Sequence, residues 1–340
     1  MKFNVITGGE IMLIGDLHIS DVYTGKHKNF LTECMTILRQ LTDIIEERKP
    51  SAVILLGDLV GWTETNIRNR EVLAMVCSVL QTWNKVCKVY SLRGNHDIKG
   101  YPDFQFFVGL GLIIPSSTCG GYIDYYGFEG QELPEVRLHM VDYHEESRHL
   151  DILEGTSNIV LGHNNFTING LTTWYSAHDG IELGMQNNLC GVDMVISGHI
   201  HNPSPEMYYT TMPDGQSCGL FYLGNPTRVV KDKVPYEHCW LMYIRYNESE
   251  KQTDVDWDMF QLPPVEECFH LDETFIEEKS ADELADEMRR QELKGVLNDL
   301  LTYRLNQGDP IKQVENIPNA SDAAKKVAID YLTMAFNAGG

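Results

Sequence analysis

The 340 residues carry 43% hydrophobic side chains, enough to bury one substantial core and an appendage, so disorder throughout the chain is excluded. No apolar run approaches the roughly 18 residues that a membrane-spanning helix requires, and the opening MKFNVITGGE has neither the basic start nor the apolar stretch of an export signal. The formal net charge of −22 opposes general attraction to polyanions and membranes, so contact with a polyanion must be local or shared with a basic partner. The eight cysteines, Cys34, Cys77, Cys87, Cys119, Cys190, Cys218, Cys239 and Cys268, form no CxxC pair. Several sit in apolar stretches, which predicts reduced core thiols and a cytoplasm-like compartment, where sequons at Asn165, Asn247 and Asn319 would go unused.

Along the chain, a short apolar run ends five times in glycine followed by polar residues: IMLIGDLHIS, SAVILLGDLV, VYSLRGNHD, NIVLGHNN and DMVISGHIH. Runs of Ile, Val and Leu this short, bounded by glycine, predict strands buried on both faces. Between the runs, residues 29–49 place Leu31, Met35, Leu38, Leu41 and Ile45 at three- and four-residue steps, and residues 70–83 do the same with Val72, Met75, Val76 and Leu80. Both predict amphipathic helices, hence βαβ units with right-handed crossovers. Ligands of such sheets collect outside the carboxyl ends of the strands, where every one of these polar motifs falls. Beyond Val195 the strands GLFYLGNP, CWLMYIRY and TDVDWDMF follow, the last two joined by the turn NESEKQ. They predict a hairpin and a second, more antiparallel sheet. Pro263 and Pro264 mark a boundary, and 281–306 and 321–336 predict two amphipathic helices, the second starting at Ser321 and Asp322. The expected domains are therefore 1–264, a linker at 265–280, and a helix-loop-helix tail at 281–340.

Asp16 and His18, and again His199 and His201, are spaced by two along the chain, so each pair can direct its side chains to one side. Asp58 follows the second strand, Asn95, His96 and Asp97 the third, and His163 the fourth. Taken singly, a GD pair after a strand is usually an Asx turn and a buried histidine a hydrogen-bonded core residue. Together they form a carboxylate, amide and imidazole set without thiolate, which suits Mn²⁺, Fe²⁺ or Zn²⁺. About eight ligands exceed the needs of one ion, and two ions sharing Asp58 account for the set. The Gly pairs at 8–9 and 120–121 lack the context of a phosphate-binding loop and read as turns.

The order DLH, GDL, GNHD, GH, GHIH resembles the calcineurin-like metallophosphoesterases. The fold implied is a four-layer α/β/β/α sandwich, here with a C-terminal helical appendage. Carried over position by position, the resemblance implies one metal at Asp16, His18, Asp58 and His201 and a second at Asp58, Asn95, His163 and His199, with Mn²⁺ first and Fe²⁺ or Zn²⁺ as alternatives. His96 would act as general acid or phosphate-stabilising group, and Asp97 would orient its ring. Within that superfamily the chain is most similar to the SbcD-type DNA-repair nuclease subunits, especially those of tailed phages. GNHD with Asp97, the GHNNFTING stretch around His163, and FYLGNPTR after the GHIH motif carry this. The tail is similar to the helix-loop-helix with which such subunits grip the coiled coil of an SbcC-type ATPase.

The resemblance implies a Mn-dependent DNA exo/endonuclease subunit, in the cytoplasm of its host if phage-encoded. Its partners would be DNA and an SbcC-type ATPase, with homodimerisation left open and no membrane. Two features depart from the pattern. Gly61, Trp62 and Thr63 occupy a stretch where relatives often carry a histidine, and a DNA-contacting cap is nearly absent. A stand-alone phosphodiesterase or phosphatase for small nucleotides is the alternative, favoured by the acidic charge, and a non-catalytic scaffold is third because every expected ligand position is filled. The tail's own alternative is a helical pair packed on its own domain through Leu284, Met288, Leu293, Val296, Leu297, Leu300 and Leu301.

Overall fold

The computed structural model describes residues 4–19, 30–61, 70–99, 101–145, 148–168, 181–227 and 237–263. The chain divides into two units, Met1–Asp272 and Glu273–Gly340. The linker and the helix-loop-helix tail expected from the sequence lie outside the described residues, as does Pro264.

In chain order the elements are β1 (Val5–Thr7), β2 (Glu10–Ile14), α1 (Phe30–Arg48), β3 (Ala52–Leu55), α2 (Arg70–Val86), β4 (Lys88–Ser91), α3 (Asn95–Lys99), α4 (Tyr101–Gly109), β5 (Ile114–Pro115), β6 (Tyr122–Tyr126), β7 (Val136–Val141), β8 (Ser157–Gly162), β9 (Phe166–Thr167), β10 (Ile181–Glu182), β11 (Met194–Ser197), β12 (Tyr208–Thr211), β13 (Ser217–Tyr222), β14 (His238–Asn247) and β15 (Gln252–Gln261). One sheet runs β15-β14-β2-β3-β4-β5 and the other β1-β6-β7-β8-β11-β13-β12, with β9 and β10 as a separate pair. In the first, β2, β3, β4 and β5 are parallel; in the second, β7, β8, β11 and β13 are parallel.

The alternation of a strand explains how one run serves two cores. In β2, Ile11 and Leu13 join Ile54 and Tyr90 in facing Ile123, Leu138, Ile159 and Phe221 of the other sheet. Met12 and Ile14 point the other way, with Val53, Leu55 and Val89, onto Leu38, Leu41, Ile45 and Trp83 of the helices. Each such fully buried aliphatic side chain contributes about 1.5–3 kcal/mol through removal from water. Helix α1 ends where Lys49 adopts a left-handed conformation, φ 49°, with Pro50 immediately after to prevent continuation. Helix α2 is pinned beside it by the Trp83 indole N–H, which donates to Thr42 Oγ1 at 2.8 Å. The outer face of the second sheet, with Val141, Val160, Val195 and Leu220, is covered among the described residues by Phe166, Leu183, Leu189, Val192 and Met212. These belong to short strands, 3₁₀ turns and loops, so the fourth layer of the sandwich is built there of short pieces.

The two predicted helices appear with nearly the expected limits, and the hairpin around residues 248–251 forms over ten paired positions. Its sheet differs from the expectation. Strand β14 pairs antiparallel with β2 and extends the first sheet, while the second sheet is mostly parallel. The physical reason is long-range: Met12 and Ile11 offer β14 an edge buried on both faces, which local alternation cannot reveal. The seven described cysteines are free thiols, and no helix among the described residues is long and apolar enough to cross a membrane.

Candidate metal centre

The carboxyl ends of both parallel runs meet at one place. The first sheet sends Asp16 and His18 from the end of β2, Asp58 from β3, and Asn95, His96 and Asp97 from β4. The second sends His163 from β8, and His199 and His201 from β11. Asp16, His18, Asp58, Asp97, His163 and His201 are buried, and Asn95, His96 and His199 half-buried. The chain turns sharply to achieve this. His18, Asp58 and His199 have φ of 44°, 47° and 71°, a region costing a residue with a Cβ about 1–3 kcal/mol, held here by the surrounding contacts. Two motif glycines serve close approach. A Cβ on Gly94 would collide with Asp58 Oδ1, and one on Gly198 with Asp16 Oδ1.

Two groups of donors result. On one side, His18 Nε2 lies 3.3 Å from His201 Nε2, 3.7 Å from Asp58 Oδ2 and 4.0 Å from Asp16 Oδ2. On the other, His163 Nε2 lies 3.2 Å from Asp58 Oδ2 and 3.0 Å from Asn95 Oδ1, which is 3.1 Å from His199 Nδ1. Asp58 Oδ2 is common to both. Three sets, Asp16 with His18 and His201, Asp16 with Asp58 and His163, and His18 with Asp58 and His96, each bring their ligand atoms within 4.8 Å of one another. The seven residues expected as ligands therefore converge. Asp16 also bridges toward the second group, its Oδ1 being 3.6 Å from His163 Nδ1.

The surrounding backbone orients the rings. His163 Nδ1 is 2.7 Å from the carbonyl of Leu56 and His18 Nδ1 is 3.3 Å from that of Gly61. A proton donated at each Nδ1 leaves Nε2 as a bare acceptor aimed into the centre, the arrangement by which metal-ligating imidazoles are held. The His199 N–H fixes Asp16 by donating to Oδ2 at 2.8 Å, and the His96 N–H fixes Asp58 by donating to Oδ1 at 2.8 Å. Asp97 does something other than orient the His96 ring. Its oxygens accept the N–H groups of Val60 at 3.2 Å and Gly94 at 2.9 Å. It occupies the third position of α3 and reaches back to the residue before the helix, as the acid of a capping box does. Asp97 thus positions the loop that carries Asn95 and His96.

Burial and close neighbours set the charge of each group in the centre. Burial pushes the Asp16 carboxyl up to about 8, against the pull of His163 and with a push from Asp58. Burial pushes Asp58 upward too, but His163, His18 and His96 together outweigh it and hold Asp58 well below the usual carboxylate range. Burial disfavours charge on His163, yet Asp58 and Asp16 raise it to about 10. Asp97 rises to about 7 through burial and then Asp58. Burial lowers His18 and His199 to about 4, and lowers His201 as well. In this geometry a proton on His163 neutralises the cluster, and Asp16 Oδ1, buried, has no hydrogen-bond partner. Acceptor atoms converging on each other with one orphaned carboxylate oxygen fit divalent cations, which at full ligation would take the place of that proton.

The carboxyl end of β7 was missed in the sequence. Tyr143 follows it, with its ring centroid 5.5 Å from that of His199 and 6.2 Å from that of His163. The run VRLHMVDYH carries Arg137 and His139 within it and has no glycine at the junction, so it lacks the form of the five motifs; its alternation, ending in Asp142 and Tyr143, was the available signal.

A two-sheet sandwich with buried carboxylates and imidazoles at apposed strand ends defines a metallohydrolase centre. The profile of the calcineurin-like phosphoesterases matches residues 9–203, a span that contains all five motifs, and the chain belongs to that family. It is a metal-dependent hydrolase of phosphoesters, and its clustered Asp and His groups suit two divalent ions. No curated protein matches the chain. Among solved structures, it is similar to a dimetal phosphatase from Danio rerio at 12% identity, over 74% of this chain and 96% of that one, with a TM-score of 0.42. It is also similar to a single-site variant of Vps29 from Entamoeba histolytica at 13% identity, over 74% and 99%, with a TM-score of 0.30.

Proposed function

We propose that the chain is a Mn²⁺-dependent DNA exo/endonuclease subunit that hydrolyses phosphodiester bonds and works with an SbcC-type ATPase in recombination or repair. The observation that carries the hydrolytic part is the gathering of six other ligand residues around Asp58, whose Oδ2 lies near both His18 and His163, with His96 half-buried beside them. The nuclease part rests on the GNHD form of the third motif, the FYLGNPTR strand, and the two amphipathic patterns of the tail. One ion would be held by Asp16, His18, Asp58 and His201, and the other by Asp58, Asn95, His163 and His199. When bound, the pair supplies the positive charge that offsets the phosphoryl oxygens and acidifies water.

The chain's own residues do the rest. His18 and His163 keep their Nδ1 protons on backbone carbonyls, so their Nε2 atoms stay available to the centre. Asp58 is held by the His96 N–H, which couples the placement of His96 to that of the shared carboxylate. The His96 ring, edge-on to His18 at 5.0 Å between centroids, is half-buried and in this reading gives a proton to the departing oxygen. An acidic subunit of charge −22 takes its phosphate contacts on DNA largely from the partner in this reading.

The test is Mn²⁺-dependent degradation of linear duplex and single-stranded DNA, alone and with the ATPase, beside a chromogenic phosphodiester. DNA cleavage stimulated by the partner is expected; hydrolysis of the chromogenic ester with no action on DNA under any condition removes the nuclease assignment. The net charge favours a second reading, a stand-alone phosphodiesterase for small nucleotides, which activity on cyclic nucleotides without benefit from a partner would select.

A further inference from the structure

Outside the donor cluster, the turn after β7 carries side chains that the hydrolytic chemistry does not use. Tyr143 is half-buried beside His199, and His144 is exposed, its ring centroid 3.9 Å from that of Tyr143 with 48° between the planes. His144 holds a left-handed backbone, φ 65°, and its N–H reaches Asn164 Oδ1 at 3.4 Å. The turn is anchored to the segment that bears Asn95. The Tyr143 N–H donates to the Arg93 carbonyl at 3.0 Å, and Asp142 Oδ1 accepts the Arg93 N–H at 2.9 Å and the Ser116 hydroxyl at 2.8 Å. The Arg93 side chain is 36% exposed, with Nη2 3.6 Å from Asp142 Oδ2, while its Nε is buried and has no hydrogen-bond partner.

We propose that Tyr143 and His144, with Arg93 at their base, form a nucleoside-recognition subsite. A nucleobase stacks on the aromatic pair while its own phosphate lies toward Asn95, His163 and His199, within reach of the guanidinium. This deepens, and rests on, the assignment of the centre to phosphoester hydrolysis. Three features separate it from ordinary packing around His199. The aromatic pair runs from beside His199 out to solvent at His144. An exposed histidine is held against it in a backbone conformation that disfavours a side chain. A part-exposed guanidinium, its Nη2 no closer than 3.6 Å to Asp142, stands two residues from a ligand atom of the centre. Aromatic faces accept every base because every base has a π-face, and guanidinium planes add phosphate hydrogen bonds to that contact. The subsite therefore selects for a nucleotidyl group without selecting a base.

The test uses the full chain loaded with Mn²⁺ and two diesters sharing a p-nitrophenolate leaving group, thymidine 5′-p-nitrophenyl phosphate and methyl p-nitrophenyl phosphate. Tyr143→Ala is expected to lower kcat/KM about tenfold more on the thymidine ester than on the methyl ester, the size of one lost base stack, with the excess in KM. Tyr143→Phe restores both substrates, and His144→Ala shows a smaller loss of the same selectivity. Equal losses on the two esters would assign Tyr143 to bracing His199 and overturn the proposal. Binding of thymidine 5′-monophosphate, followed by NMR with and without Mn²⁺, is read independently of turnover and is expected to weaken about tenfold in Tyr143→Ala. If wild type hydrolyses neither ester yet binds the nucleotide in a Tyr143-dependent way, hydrolysis fails and the subsite stands. If both esters are cleaved and nucleotide binding ignores Tyr143, the subsite fails and hydrolysis stands.

Discussion

Gly94→Ala adds one methyl group and nothing else, at a position whose backbone an alanine can adopt. That methyl would overlap Asp58 Oδ1 and stand 2.7 Å from Asp58 Cγ and 2.5 Å from its backbone nitrogen. Ordinary carbon contact begins near about 3.5 Å, so the shared carboxylate must retreat by most of an ångström. The backbone cannot follow freely, because Asp97 ties Gly94 and Val60 together. Overpacking of this kind costs about 1–3 kcal/mol in stability, and displacing a positioned group by about 1 Å costs about a hundredfold in rate. Hydrolysis of a chromogenic phosphodiester by the Mn²⁺-loaded variant should therefore fall about a hundredfold, with weaker metal retention on dialysis and only a modest fall in Tm. Wild-type rate together with wild-type metal content would refute the role assigned to Asp58, since no geometry keeps its carboxylate in place beside that methyl.

Three further outcomes follow from the same contacts. His96→Ala should keep its metals and its melting temperature while losing turnover about 10²–10⁴-fold, and parallel metal analysis and calorimetry check both halves. Arg137→Ala should destabilise the protein by about 3–5 kcal/mol in denaturant titration, because it strands buried Asp124, whose two oxygens now receive the guanidinium at 2.7 and 3.1 Å. His139 is buried, 1% exposed, with Nε2 3.1 Å from Asn158 Oδ1, and burial lowers its pKa below 6.5. Protonation thus favours the unfolded chain, so this contribution to stability is complete above about pH 6.5 and declines as the pH falls below it. His139→Gln should flatten the fall in Tm between pH 7 and pH 5 relative to wild type.

The polar ends of five apolar runs were legible because burial on both faces leaves a strand no polar positions until it exits the sheet. Asp16, His18, Asp58, Asn95, His163, His199 and His201 could each be read at such an exit. Their division between two sheets could not, because it depends on β14 choosing the edge of β2 and on Leu56, just past β3 of the first sheet, meeting His163 of the second. Asp97 was legible as part of the motif but not in its task, since a carboxylate three positions into a helix serves the backbone before it serves a neighbouring ring. Tyr143 escaped because Arg137 and His139 interrupt the apolar run before it and Val141 passes into Asp142 without a glycine. The pieces covering Val160 and Leu220 are too short to show a periodicity in the sequence.

Crystals grown with Mn²⁺ and measured for anomalous scattering at the manganese edge examine the shared role of Asp58 most directly. Two peaks are expected, about 3.5–4 Å apart, one toward His18 and His201 and the other toward Asn95, His163 and His199, with an Asp58 oxygen between them. A single peak, or manganese bound away from Asp58, would contradict the two-ion centre.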